Sequence, residues 1–376
     1  MTVYLDHAAT SPLRPEAREA FLRVADLGGN ASSVHGVGRK AKIVVEDARA
    51  VILGALNATG QAGLVFTAGG TEANALALHQ ARDFDYIVVS KGEHDSVFNG
   101  AGVVGRPVET VPLTGDGQAD LKALTEILAN TAGRPFVAIM LANNETGVIS
   151  DIAAAAAIVR AHDGWLHVDA VQALGKIAID FVGLGVQSLS LSAHKVGGGQ
   201  GLGALVYDRD RVIKPLIVGG GQELGMRAGT ENVPGIAAFA AAVQACQGVD
   251  EAVSRAQGLA EASLKGLGVT ILGAEAPRVP GIMAMVQSDW ASNLQLIQMD
   301  MAGICVSSGS ACSSGKVKAS RVVAAMGRDG MADKTLRVSS GWTSKPEDWD
   351  RFHEAWSKGY EMYLKRHAKA PVKEQA

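Results

Sequence analysis

Short apolar runs alternate with helical patterns through the middle of the chain. Apolar runs of strand length lie at 64–67, 86–90, 136–141, 165–168, 188–192 and 204–207. Segments 71–80, 120–129 and 152–162 lie between them and carry helical patterning. Strands alternating with helices predict an α/β unit with a mostly parallel sheet covered on both faces. The alanine-rich stretches 153–157 and 237–242 read as helices, because alanine has the best helix propensity. Beyond about residue 245 the pattern changes. Helical segments mix there with strand-like pieces at 269–272, 281–286 and 335–339. This predicts a second, smaller α+β domain, with the first dozen residues packing near it. The expected division is 14–245 for the large domain, and 1–13 with 246–376 for the small one.

Polar residues follow the apolar runs in a regular way. The run 136–141 leads into Asn143-Asn144-Glu145-Thr146-Gly147, 165–168 into Asp169-Ala170-Val171-Gln172, and 188–191 into Ser192-Ala193-His194-Lys195. Open α/β sheets bind ligands outside the carboxyl ends of their strands. Three such clusters point to one shared pocket.

Composition narrows the classes. The chain has 376 residues, 47% of them hydrophobic, and a formal net charge of −3. That length suits two globular domains. No basic block points to nucleic acid, and no acidic tail points to an interaction arm. The N-terminus lacks the basic and apolar segments of a secretory leader, and no apolar run is long enough to span a membrane. Cys246, Cys305 and Cys312 are the three cysteines. So sparse and odd a count fits a reducing cytoplasm, and the lack of Cys-x-x-Cys argues against structural zinc. Cys246 and Cys305 have apolar or alanine-rich neighbours and are expected to be buried fillers.

Candidate chemistry starts at Lys195. It stands at a strand end before the glycine-rich Val196-Gly197-Gly198-Gly199-Gln200-Gly201. A lysine in a pocket there can form a Schiff base with an aldehyde cofactor. A surface lysine beside a flexible turn is the alternative. Asp169, at an earlier strand end, could pair with a protonated pyridinium nitrogen, or it could be the N-cap of a following helix. Gly69-Gly70-Thr71-Glu72 follows a strand and opens a helix, which suits a phosphate. An ordinary capping turn with Thr71 as N-cap is the alternative.

The ordered motifs are Tyr4-Leu5-Asp6-His7-Ala8-Ala9-Thr10, Gly29 to His35, Gly69-Gly70-Thr71-Glu72, Glu93-His94, Asn143 to Gly147, His167 to Gln172, Ser192 to Lys195, Arg227-Ala228-Gly229-Thr230-Glu231-Asn232 and Ser307 to Cys312. As a set, from residue 4 to about residue 341, they closely resemble the cysteine desulfurases of the class V aminotransferase superfamily. The resemblance implies a fold type I pyridoxal-phosphate transferase, like aspartate aminotransferase, with a mainly parallel seven-stranded sheet in the large domain. It also implies roles. Lys195 would hold pyridoxal 5'-phosphate covalently, Asp169 would pair with the ring nitrogen, and Gln172 with the ring oxygen. His94 would stack on the ring and assist proton transfer. Gly70, Thr71, Ser192 and His194 would hold the phosphate. Thr230 would reach the phosphate of the other subunit of a homodimer. Asn144 would contact cofactor and substrate, and Arg337 would clamp the substrate carboxylate through two parallel hydrogen bonds. Without the resemblance, His94 reads as an ordinary histidine, Arg337 as an ion-paired strand residue and Thr230 as the end of a turn.

Cys312 lies in the small, polar, glycine-flanked run Val306 to Gly315, which suggests an exposed, mobile loop. A nucleophilic thiol needs such access. The resemblance implies that Cys312 takes sulfur from L-cysteine as a persulfide, leaving alanine, and passes it to an acceptor such as an iron–sulfur scaffold. Selenocysteine lyase and another class V aminotransferase are the rival readings. An aminotransferase has no use for the loop thiol. One departure stands out, because family members often carry Pro-Lys where this chain has Val196 and the glycines before Gln200.

Overall fold

The computed structural model describes residues 2–309 and 319–367. Its strands are β1 (Val3–Tyr4), β2 (Ala62–Thr67), β3 (Tyr86–Ser90), β4 (Val108–Val111), β5 (Pro135–Ala138), β6 (Trp165–Asp169), β7 (Ser188–Ser192), β8 (Gly203–Asp208), β9 (Thr270–Ile271), β10 (Ile282–Val286), β11 (Ile304–Cys305), β12 (Ser307–Ser308) and β13 (Thr335–Ser339). Seven of them form one sheet in the order β2-β8-β7-β6-β5-β3-β4. Only β8 runs against its neighbours. The carboxyl ends of β2, β3, β5, β6 and β7 therefore share one edge.

Alternation along each strand explains the two layers. Tyr86 and Val88 of β3 pack on one face, with the helices Gly36–Ala55 and Val233–Gln244; Ile87 and Val89 pack on the other, with the helix Gly70–Gln80. Val137 on β5, and Leu166 and Val168 on β6, join the first face; Phe136 and Trp165 join the second. A period of two with both faces covered gives a sheet apolar on both sides.

One expected strand is shorter than its apolar run, and the edge strand β4 was not foreseen. The run 136–141 is assigned as strand only over Pro135–Ala138, yet Ile139 and Leu141 N–H still donate to the carbonyls of His167 and Asp169. The chain thus stays zipped to β6 while it turns toward the pocket. The edge strand β4 reads Val-Glu-Thr-Val with Val108 and Glu109 exposed, so it lacks a strong apolar run.

The C-terminal part forms the sheet β12-β13-β10-β9 around a core of Met283, Met285, Leu336, Val338, Trp349, Phe352 and Trp356. The N-terminus joins it: β1 pairs in parallel with β11, and His7 N–H donates to Ser339 O. From there residues 8–11 cross to the large sheet, where Ser11 N–H donates to His194 O. Among the described residues no helix is long and apolar enough to cross a membrane.

Cys246 and Cys305 are half-buried rather than buried. Cys305 sits on a two-residue strand, and Cys246 Sγ lies 3.7 Å from Arg14 Nη2. A polar neighbour and an edge position keep each from being an apolar filler. Burial still pushes both thiols up.

Candidate active site

The shared strand edge opens into a cavity of about 290 Å³. Gly70, Thr71, His94, Asn144, Asp169, Gln172, Ser192, His194, Lys195 and Arg337 all line it. Their positions follow from the topology. Gly70 and Thr71 follow β2, His94 follows β3, Asn144 follows β5, Asp169 ends β6, and Ser192 to Lys195 end β7. Arg337 comes from β13 of the other sheet. Thr230 is not in this group. It is exposed and lines a separate depression with Glu223, Arg227 and Glu231. Cys312 lies outside the described residues.

Lys195 Nζ donates to Ala8 O at 2.6 Å and Ala9 O at 2.7 Å. The crossing N-terminal segment therefore holds the amine. Gln172 is buried and shares that anchor, its Nε2 donating to Ala8 O at 2.8 Å. Its Oε1 accepts from Lys176 Nζ at 3.2 Å, and Lys176 also donates to Gln172 O. Burial and nearby Lys195 pull Lys176 down to about 7.

Asp169 uses its two oxygens differently. Oδ1 accepts from Val171 N–H at 3.0 Å and caps the turn, while Oδ2 accepts from Asn74 Nδ2 at 2.8 Å. Oδ1 thus caps a turn rather than the expected helix, and Asp169 also lines the cavity. Thr71 is no N-cap. The helix Gly70–Gln80 is capped at Gly69 without a side-chain bond, so Thr71 stands exposed in the first turn. A Cβ at Gly70 would lie 2.9 Å from Val171 Cγ2, so only glycine leaves this helix start unobstructed.

His94 Nδ1 accepts from Ser96 N–H at 3.1 Å, which caps the helix Asp95–Ala101 and aligns the ring. His194 Nδ1 lies 3.2 Å from Thr10 Oγ1, and burial first, then Lys195, pulls it down to about 4. Asn144 stands beside the structural Asn143, whose Oδ1 accepts from Glu145 and Thr146 N–H.

Arg337 is almost fully buried. Its Nη1 donates to Asn144 O at 2.9 Å and its Nη2 to Asp6 Oδ1 at 3.0 Å. Its Nε has no partner among the described residues. A buried guanidinium N–H without an acceptor is costly.

Cavity residues given no role from the sequence include Asn74, Glu93, Glu145 and Arg321. Burial, then the charge of Asp169, pushes Glu93 up to about 8, and its Oε2 has no partner among the described residues. Burial also raises Glu145, which accepts from Ser320 Oγ. Arg321 donates to the carbonyls of Lys91 and Glu93 and packs 4.0 Å from the Phe98 ring centre. For Asn74 a signal existed, because it lies four residues after Gly70 and so on the same helix face.

Comparison with known proteins places this geometry. The family model described as aminotransferase class-V matches residues 3–352. The chain belongs to the class V aminotransferase family. Curated relatives include a protein named IscS-like cysteine desulfurase from Mycobacterium tuberculosis, 36% identical over 92% of this chain and 93% of its own. Another is a cysteine desulfurase from Cereibacter sphaeroides, 37% identical over 86% of each. A solved NifS-like protein from Rickettsia africae superposes with a TM-score of 0.89 at 34% identity, covering 96% of this chain and all of that one. A structure described as SspA in complex with cysteine gives a TM-score of 0.79 at 27% identity, covering 90% and 98%.

Proposed function

We propose that this class V chain is a cysteine desulfurase: with pyridoxal phosphate it takes sulfur from L-cysteine, frees alanine and leaves the sulfur as a persulfide on Cys312. The observation that carries the reading is one cavity shared by Lys195, Asp169 and Arg337. The names of the relatives agree with it, and a neighbour of the same fold is described in complex with cysteine.

The residues present fit the cofactor. The open helix start at Gly70, with Thr71, Ser192 and His194, offers backbone and side-chain donors for a phosphate. Asp169 suits a protonated ring nitrogen, Gln172 Nε2 the ring oxygen, and Lys195 the aldehyde. His94 would stack on the ring, and Asn144 would meet cofactor and substrate. Bound there, pyridoxal phosphate supplies the electron sink for carbon-acid chemistry.

The chain's own groups do the rest. The Nε–H and Nη2–H edge of Arg337 holds the substrate carboxylate. Lys195 Nζ takes the proton from Cα of cysteine, and His94 assists proton transfer. The Cys312 thiolate attacks the substrate sulfur, so an S–S bond forms as the Cβ–S bond breaks and its electron pair stays with the carbon fragment. Protonation of that fragment yields alanine. Thr230 would serve the phosphate of a second copy, which makes the active form a homodimer. The persulfide then passes to an acceptor protein such as an iron–sulfur scaffold, in the cytoplasm.

Reduction of the cofactor-loaded protein with borohydride, followed by peptide mass spectrometry, tests the cofactor assignment. The label is expected on Lys195, and wild-type protein is expected to release alanine from L-cysteine. Labelling elsewhere, or no alanine, would overturn the reading.

A further inference from the structure

Behind the cavity runs a hydrogen-bond chain whose direction is set at both ends. Trp165, Ser188, His167, Asn74, Ser190 and Asp169 are each at most 4% exposed. A carboxylate only accepts, so Asn74 turns its Nδ2 toward Asp169 Oδ2, 2.8 Å away. Asn74 Oδ1 therefore faces His167 Nε2 at 3.0 Å, and that nitrogen carries the ring hydrogen. Burial pulls His167 down to about 3, so the ring is neutral and its Nδ1 accepts. Ser188 Oγ lies 2.9 Å from Nδ1 and donates to it. Trp165 Nε1 can only donate, and it supplies Ser188 Oγ at 2.9 Å. Ser190 Oγ gives Asn74 Oδ1 a second donor.

With Oδ1 filled by two donors, the amide of Asn74 has one stable orientation. A flipped amide would set Oδ1 against Asp169 Oδ2 and leave His167 and Ser190 without their acceptor. The second Nδ2 hydrogen goes to Ser96 Oγ at 2.8 Å, which itself lies 2.8 Å from His94 Nδ1. Asn74 is thus a branch point on the helix that starts at the phosphate end of the cavity. It touches the group at the opposite end of the cofactor's expected position.

We propose that Asn74 is a positioning residue that holds Asp169 for the cofactor's ring nitrogen, with His167 locking its amide. This rests on the reading of Asp169 given above. Neither residue contacts the cofactor in that reading. The effect is read through Asp169.

The test compares dissociation constants of the cofactor-free, full-length protein for pyridoxal 5'-phosphate and for its 1-deaza analogue, in which carbon replaces the ring nitrogen. Wild type is expected to prefer the natural cofactor by about tenfold or more, the size of one hydrogen bond to a charged group. Asn74→Leu is expected to bring that ratio to within about threefold while leaving the affinity for the analogue unchanged. Unchanged analogue binding reports an intact fold and an intact Lys195. His167→Phe keeps a ring against Phe136 but frees the amide, and is expected to lower the ratio as well; it carries the test alone if Asn74→Leu does not fold. If both variants keep the wild-type ratio, the positioning role is overturned while the reading of Asp169 stands. If wild type itself binds the two ligands equally, the reading of Asp169 fails and this inference fails with it.

Discussion

Asp6 Oδ1 accepts from Arg337 Nη2 at 3.0 Å, while Asp6 Oδ2 accepts from Ser307 Oγ at 2.8 Å. One carboxylate therefore joins the proposed substrate clamp to the strand β12, which leads toward Cys312 in sequence. The guanidinium Nε is buried and has no partner among the described residues.

Arg337→Lys is expected to raise KM for L-cysteine by about tenfold or more, with a smaller effect on kcat, because an ammonium cannot present two parallel N–H groups. Asp6→Asn keeps the shape but removes the charge opposite a buried cation. It is expected to destabilise the fold by about 2 kcal/mol, measurable by denaturant unfolding. Unchanged kinetics in Arg337→Lys would remove Arg337 from substrate binding.

Glu93 gives a pH signature. Its carboxyl keeps a proton up to about 8 in the fold, against 4.5 as the ordinary value. A raised value means that folding takes up a proton, so the contribution is complete below 4.5 and is lost as pH rises toward about 8. Glu93→Gln stays neutral throughout. Its melting temperature relative to wild type is expected to rise between about pH 5 and about pH 8. A constant difference across that range would contradict a protonated Glu93.

Gly203 starts β8 between β2 and β7. A Cβ there would lie 2.5 Å from Gly69 C and 2.7 Å from Leu191 O, and both are backbone atoms that cannot rotate away. Gly203→Ala is expected to cost about 1–3 kcal/mol, and to weaken cofactor binding because Gly69 caps the helix at the phosphate end. Thermal unfolding and cofactor titration check the two effects. Wild-type values for both would contradict this close approach.

Much of the site was legible because strand ends are punctuated by polar residues. The runs ending at Asp169 and at Ser192-Ala193-His194-Lys195 are buried strands whose next residues must leave the sheet, and the motif order did the rest. What escaped was polar sequence inside apolar elements. Asn74 lies in a helix of alanine and leucine, and His167 in the middle of β6, so each reads as an isolated polar residue until the packing shows its partners. Glu93 and Glu145 look like loop carboxylates, and only burial reveals otherwise. The edge strand β4 was silent because a half-exposed edge needs no apolar run.

The central claim is that Cys312 receives the substrate sulfur. The direct measurement is incubation of cofactor-loaded wild type and Cys312→Ser with L-cysteine, quantifying alanine and the mass of the peptide containing residue 312. The account predicts alanine from wild type together with one added sulfur atom on that peptide before any reductant is supplied, and loss of both in Cys312→Ser. Alanine formation by Cys312→Ser at the wild-type rate, or sulfur carried on Cys246 or Cys305 instead, would contradict it.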